Sequence, residues 1–126
     1  MDGLSPSLVV LLETYLDSTD KLEIVWRVRS RGPMERVDLC DGLGVDGPAA
    51  DVVIAALASA GLLECVDGTV LLGPRFELDT SVARLIDLYE HDRALVMSAL
   101  STLHLRRMRD EAAVVLAESH RLMRLN

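Results

Sequence analysis

Between Leu63 and Leu72 two β-prone runs, Leu63-Glu64-Cys65-Val66 and Thr69-Val70-Leu71-Leu72, are separated by Asp67-Gly68 alone. A two-residue Asp-Gly link is a strong signal for a type I′ hairpin, because both central residues must take positive φ. The hairpin constrains what precedes it. Gly32-Pro33 ends a helix, and Met34 to Gly44 reads as a short helix with Val37, Leu39, Cys40 and Leu43 as its apolar positions. Gly44-Val45-Asp46-Gly47 makes a turn. Pro48 opens a third helix, and the spacing of Val52, Val53, Ala56, Leu57 and Ala60 predicts that these side chains face inward until Gly61 stops it.

The flanks are helical. Ser5-Pro6 is a helix start, and Leu8, Leu11, Leu12, Tyr15 and Leu16 give residues 5–17 one broad apolar face. Ser18-Thr19-Asp20 caps a helix to about Arg31, with Leu22, Val25 and Trp26 toward the core. After Gly73-Pro74, Asp79-Thr80-Ser81 caps a helix to about Leu103. Its stripe of Val82, Leu85, Ile86, Tyr89, Val96, Ala99, Leu100 and Leu103 is interrupted at His91-Asp92-Arg93. A kink, a break into two helices, or a polar notch in an oligomer seam would each account for that interruption. A last helix runs from about Arg106 to Met123. The expectation is one domain over 1–126, mainly α with a small β-hairpin: a packing helix at 5–17, a core at 20–73, and C-terminal helices at 79–123 as a dimerisation unit.

Charge is divided unevenly. The net charge of −7 lies wholly within residues 1–73, where five bases face twelve acids, whereas residues 74–126 hold eight of each. A free-standing DNA binder shows the opposite balance, since phosphate contact works through a basic patch that releases counterions. Half the residues are hydrophobic but only four are aromatic (Tyr15, Trp26, Phe76, Tyr89), so the core is aliphatic.

Gly32-Pro33-Met34, Leu39, Leu43-Gly44-Val45, Val52, Leu57 and Ala60-Gly61-Leu62-Leu63 followed by a hairpin resemble the winged helix-turn-helix fold of bacterial transcriptional regulators, over about residues 20–73. The resemblance implies DNA as a partner, read by the third helix. DNA-binding members carry Ser, Thr, Arg, Lys, Asn or Gln at the start of that helix, reaching base edges and phosphates. Here the segment is Asp46-Gly47-Pro48-Ala49-Ala50-Asp51, and no Lys or Arg occurs between Arg36 and Arg75. DNA contact would therefore fall to Arg29, Arg31, Arg36 and Arg75 at the edges of the helix. For Arg29 and Arg31 a place at a helix C-terminus, where cations complement the dipole, is a sufficient account by itself.

The resemblance also implies a homodimer through the flanking helices, with Val82, Leu85, Tyr89, Val96 and Leu100 as the contact stripe. The same residues would serve equally to pack the first helix against the last two within one chain.

Nothing in the sequence assembles an enzyme. His91, His104 and His120 form no HxxxH or HExxH pair, and the neighbours Glu90-His91-Asp92 point in different directions on a helix. No glycine-rich phosphate loop follows a strand, and neither a cofactor nor a metal is expected. Cys40 and Cys65 lack CxxC spacing and read as small hydrophobes. With no basic leader at Met1-Asp2-Gly3 and no apolar run long enough for a bilayer, the expected location is cytoplasmic, without membrane contact. The resulting expectation is a small regulator-like winged-helix protein that binds DNA weakly or non-specifically through arginines around an acidic third helix. The alternative is an adaptor that binds no DNA and docks a partner regulatory protein on its acidic face.

Overall fold

The computed structural model describes residues 4–44 and 46–125, the last six as backbone alone. Val45 of the expected turn, and the side chains of His120, Arg121, Leu122, Met123 and Arg124, lie outside the described residues. The order of elements is α1 (Pro6–Thr14), α2 (Thr19–Arg31), β1 (Met34–Glu35), α3 (Arg36–Leu43), α4 (Gly47–Ser59), β2 (Leu63–Val66), β3 (Thr69–Leu72), α5 (Pro74–Leu78), α6 (Thr80–His91) and α7 (Arg93–Leu125).

Local chemistry sets most of the boundaries. Pro6 and Pro48 occupy first turns, where a missing N–H is harmless. Ser18 caps α2 by accepting from the Lys21 amide at 3.2 Å, Asp46 caps α4 through Ala49 at 2.8 Å, and Asp79 caps α6 through Ser81 at 3.0 Å. The hairpin turn has φ of 51° at Asp67 and 81° at Gly68, the signs a type I′ turn needs.

The sheet has the order β1-β3-β2, antiparallel throughout, with Leu63 opposite Leu72 and Val66 opposite Thr69. Its third strand was not expected. Met34 and Glu35 pair with Val70 and Thr69, so the helix predicted from Met34 begins only at Arg36. The first helix likewise ends at Thr14 rather than near Asp17, and the short α5 was unforeseen.

Around α2 the core closes. Leu22, Ile24, Val25 and Val28 are buried there, and α2 packs on α3, α4, α6 and β3. The face of α4 is rotated from the expected one. Ala50, Ile54 and Leu57 point inward while Val52 is 71% exposed. In a stretch of Ala, Val, Ile and Leu alone, helical periodicity has two solutions, and burying Ile54 with Leu57 against β2 removes the larger surface from water.

In the C-terminal half one of the three expected alternatives is realised, a break into two helices. The polar interruption is a break at Asp92, whose carboxylate receives the Leu95 amide at 3.3 Å as α7 begins. No second break follows. Arg106 and Arg107 lie along one continuous 33-residue helix instead of opening a new one. Val82, Leu85, Tyr89, Val96 and Leu100 are at most 2% exposed within the single chain. The stripe assigned to a dimer seam is thus internal, because α1 and α2 cover it through their contacts with α6 and α7. No single helix among the described residues is long and apolar enough to cross a membrane.

Candidate functional site

In a helix-turn-helix the surface available to a ligand is the outer side of α4 with α3 and the hairpin beside it. On α4 that side consists of Pro48, Ala49, Asp51, Val52, Ala55, Ala56 and Ser59, all exposed. Val37 on α3 joins it at 62% exposure. Apart from Asp51 and Ser59 that side is apolar, and α4 itself carries no amide or guanidinium side chain to reach a base edge.

The same stretch of chain is rich in exposed acids. Glu35, Asp38, Asp41, Asp46, Asp51, Glu64 and Asp67 are all exposed, and the only cation from Gly32 to Gly73 is Arg36. Two of the acids also serve the fold. Asp46 is the α4 cap, and Asp51 forms an ion pair with Arg36, which holds the start of α3 to the first turns of α4.

The four arginines expected to edge the helix have separate engagements. Arg29 donates to the Ala83 carbonyl at 3.1 Å, pairs with Asp87, and lies 5.4 Å from the centre of the Phe76 ring, which ties α2 to α5 and α6. Arg75 donates through Nε to the Ala60 carbonyl at 2.7 Å and stacks over Tyr15 at 4.4 Å. Arg36 is paired with Asp51. Arg31 is exposed at the end of α2. Three of the four thus bind groups of their own chain at three different places, and no shared phosphate clamp is built.

Two polar clusters that sequence spacing did not indicate lie on other elements of the fold. At the corner of α2, α6 and α7, Glu23 receives the Tyr89 hydroxyl at 2.5 Å and Arg27 Nε at 3.2 Å, and Arg93 stacks over Tyr89 at 4.5 Å. Burial, and next the hydrogen bond to Glu23, push the Tyr89 phenol up to about 12. At the corner joining α1 and α2, Asp17 receives Lys21 Nζ at 2.8 Å and Arg107 at 3.1 Å, while Arg107 also caps the Glu13 carbonyl at 2.6 Å. Burial raises the Asp17 carboxyl, but the bonds from Lys21 and Arg107 outweigh it and hold it below the ordinary 3.8. Both clusters join residues more than 60 positions apart, which no local motif reveals.

No protein-family model and no curated protein sequence matches the chain. Solved structures do match. The transcriptional regulator Tm0710 from Thermotoga maritima is 16% identical, with a TM-score of 0.52 over 86% of this chain and 83% of that one. NadR, solved with 4-hydroxyphenylacetate, is 16% identical, with a TM-score of 0.51 over 89% and 90%. Bordetella bronchiseptica BpsR, whose DNA binding is regulated by 6-hydroxynicotinic acid, is 15% identical, with a TM-score of 0.50 over 76% and 75%. The chain has the winged helix-turn-helix fold of these transcriptional regulators.

Proposed function

We propose that this is a regulator-type winged-helix protein that works as a homodimer and acts by protein contact, its α3–α4 face docking a basic partner rather than reading duplex DNA. One observation carries the reading. The outer face of α4 offers Val52 and alanines, seven acids are exposed between Gly32 and Gly73, and the sole cation of that stretch, Arg36, is paired with Asp51. Duplex DNA would meet phosphate repulsion there without compensating base contacts. A protein surface with Lys or Arg around an apolar centre would find complementary charge at the rim and apolar area in the middle.

Fluorescence anisotropy with random-sequence duplex at low salt tests the negative half. No salt-steep binding is expected. An affinity that falls steeply with salt and is abolished by Arg31→Glu would return the function to DNA. For the positive half, amide chemical shifts are followed while amphipathic Arg-rich helical peptides are added. Shifts centred on Val37, Val52 and Ala55 support docking on this face, and shifts confined to other elements overturn it.

A further inference from the structure

Arg36 stands where its own helix gives it no support. It opens α3, and the N-terminus of a helix carries the positive end of the dipole, so a cation is disfavoured there. Its backbone does not depend on the side chain. The Arg36 amide donates to the Gly68 carbonyl in the hairpin turn at 3.0 Å, and Glu35 before it pairs with Thr69. From this anchor the side chain reaches to α4, where Nη1 donates to Asp51 Oδ1. Both ends of the bond are open to water, with the side chains 44% and 52% exposed. An exposed ion pair contributes little to stability, because water screens it and fixing the side chains costs entropy. The bond is therefore readily exchanged for another of the same kind.

Asp51 depends on this one cation. Its neighbours a turn away along α4 are Gly47, Pro48, Ile54 and Ala55, and none of them carries a charge or a donor side chain. Arg36 is its one hydrogen-bonding partner among the described residues. Next in sequence to the two members of the pair, Val37 and Val52 are 62% and 71% exposed. A guanidinium arriving at Asp51 from another molecule would lay its apolar stem along this part of the surface.

We propose that Asp51 is the seat for an arginine of the docking partner, and that Arg36 occupies the seat as a stand-in until the partner displaces it. This rests on the docking reading above and names the side chain by which the partner is recognised. The seat already holds a guanidinium, the group that a partner arginine would present. A lysine would bring a compact and strongly hydrated ammonium in place of the planar fork, and is the poorer replacement. The exchange also sets selectivity. One Arg–Asp pair breaks as another forms, so a partner that offers charge alone gains almost nothing at this carboxylate. A partner that also covers Val37 and Val52 gains by burying apolar area that the free chain leaves in water. Arg36 thus turns away basic chains that have no apolar face.

A double-mutant cycle over Arg36 and Asp51 tests this on the whole chain. The readout is the anisotropy of a labelled amphipathic Arg-rich helical peptide at constant salt, with circular dichroism as the check on folding. Arg36→Gln is expected to tighten the peptide about fivefold, the size of coupling found between residues in contact. Asp51→Asn is expected to weaken it. In the Asp51→Asn background, Arg36→Gln should change the affinity by less than about twofold, because the contested seat is gone. The same peptide with Lys for every Arg should bind wild type more weakly. If Arg36→Gln does not fold, Arg36→Lys takes its place and is expected to tighten the peptide to a smaller extent. A peptide that binds neither wild type nor any variant overturns the docking reading and this inference together. Binding to wild type that Arg36→Gln leaves unchanged or weakens overturns the stand-in alone. Equal tightening in both backgrounds also overturns it, since that is the mark of a general change in surface charge. Equal binding of the Lys peptide overturns the preference for arginine.

Discussion

The phenol hydroxyl of Tyr89 on α6 donates to Glu23 Oε2 on α2 at 2.5 Å, and the Trp26 ring meets the Tyr89 ring edge-on at 6.4 Å between centroids. A neutral phenol is required in this corner, since its charged form would face the Glu23 carboxylate. The value of about 12 in the folded chain stands above the ordinary 10.0. The neutral form is therefore favoured by folding, and the stability it contributes is complete below pH 10.0 and lost as pH rises toward 12. Near-ultraviolet absorbance titration is expected to show a tyrosine step near 12 that disappears in Tyr89→Phe. The same variant should lower the urea stability by about 2 kcal/mol, the usual size for a hydrogen bond to a charged group.

Asp17 has the opposite sign. Its carboxyl is held below 3.8 in the fold, so its contribution is present above that pH and disappears as pH falls through the lower folded value. Asp17→Asn is expected to be less stable than wild type at neutral pH. The two urea midpoints should converge below about pH 3.8. A constant gap across that range would show that Lys21 and Arg107 do not stabilise the carboxylate.

Gly73 follows the hairpin where the chain crosses close to its own backbone. A Cβ there would lie 2.8 Å from the Gly61 carbonyl carbon and 2.9 Å from the Leu63 carbonyl oxygen. The Gly73 amide also donates to the Leu62 carbonyl at 2.9 Å, so the backbone has no room to yield. Gly73→Ala should destabilise the fold by about 1–3 kcal/mol, the range for overpacking, as read by thermal melting. An unchanged melt would mean that β2 and β3 can part at this end without loss.

Neutralising the acids on α4 should move the protein toward DNA. Asp46→Asn keeps a capping side chain, and Asp51→Asn releases Arg36 from its ion pair. The double variant is expected to bind random duplex at low salt about tenfold more tightly than wild type, with a steeper salt dependence. Equal affinity would show that something other than these carboxylates keeps DNA away.

What the sequence made legible was local. Asp67-Gly68 announces its turn, and Ser18 and Asp79 mark helix starts, because turn and cap chemistry act over two or three residues. The two-residue strand β1 carries no periodicity and exists only because Met34 meets Val70 across the sheet. The exposed side of α4 was hidden for a different reason: Val52 and Ile54 are equally apolar, and only the position of β2 decides which turns inward. Engagement of Arg29 by Asp87 and of Arg36 by Asp51 joins residues 58 and 15 positions apart. Arg29 and Arg36, which look available in the sequence, are therefore engaged in the fold.

The unbroken α7 also makes the molecule a lever. At 1.5 Å per residue its 33 residues extend about 50 Å, of which about 27 Å lie beyond the fulcrum at Arg107. If the helix stays rigid, a tilt of roughly 10° about that fulcrum displaces the far tip by about 5 Å, close to one helical turn. The hydrogen bonds that hold Arg107 and His104 to the α1–α2 corner thus fix more than local packing. They set the angle at which the two ends of the molecule are splayed, and a ligand or partner that loosened Asp17 would be felt at a distance it never touches.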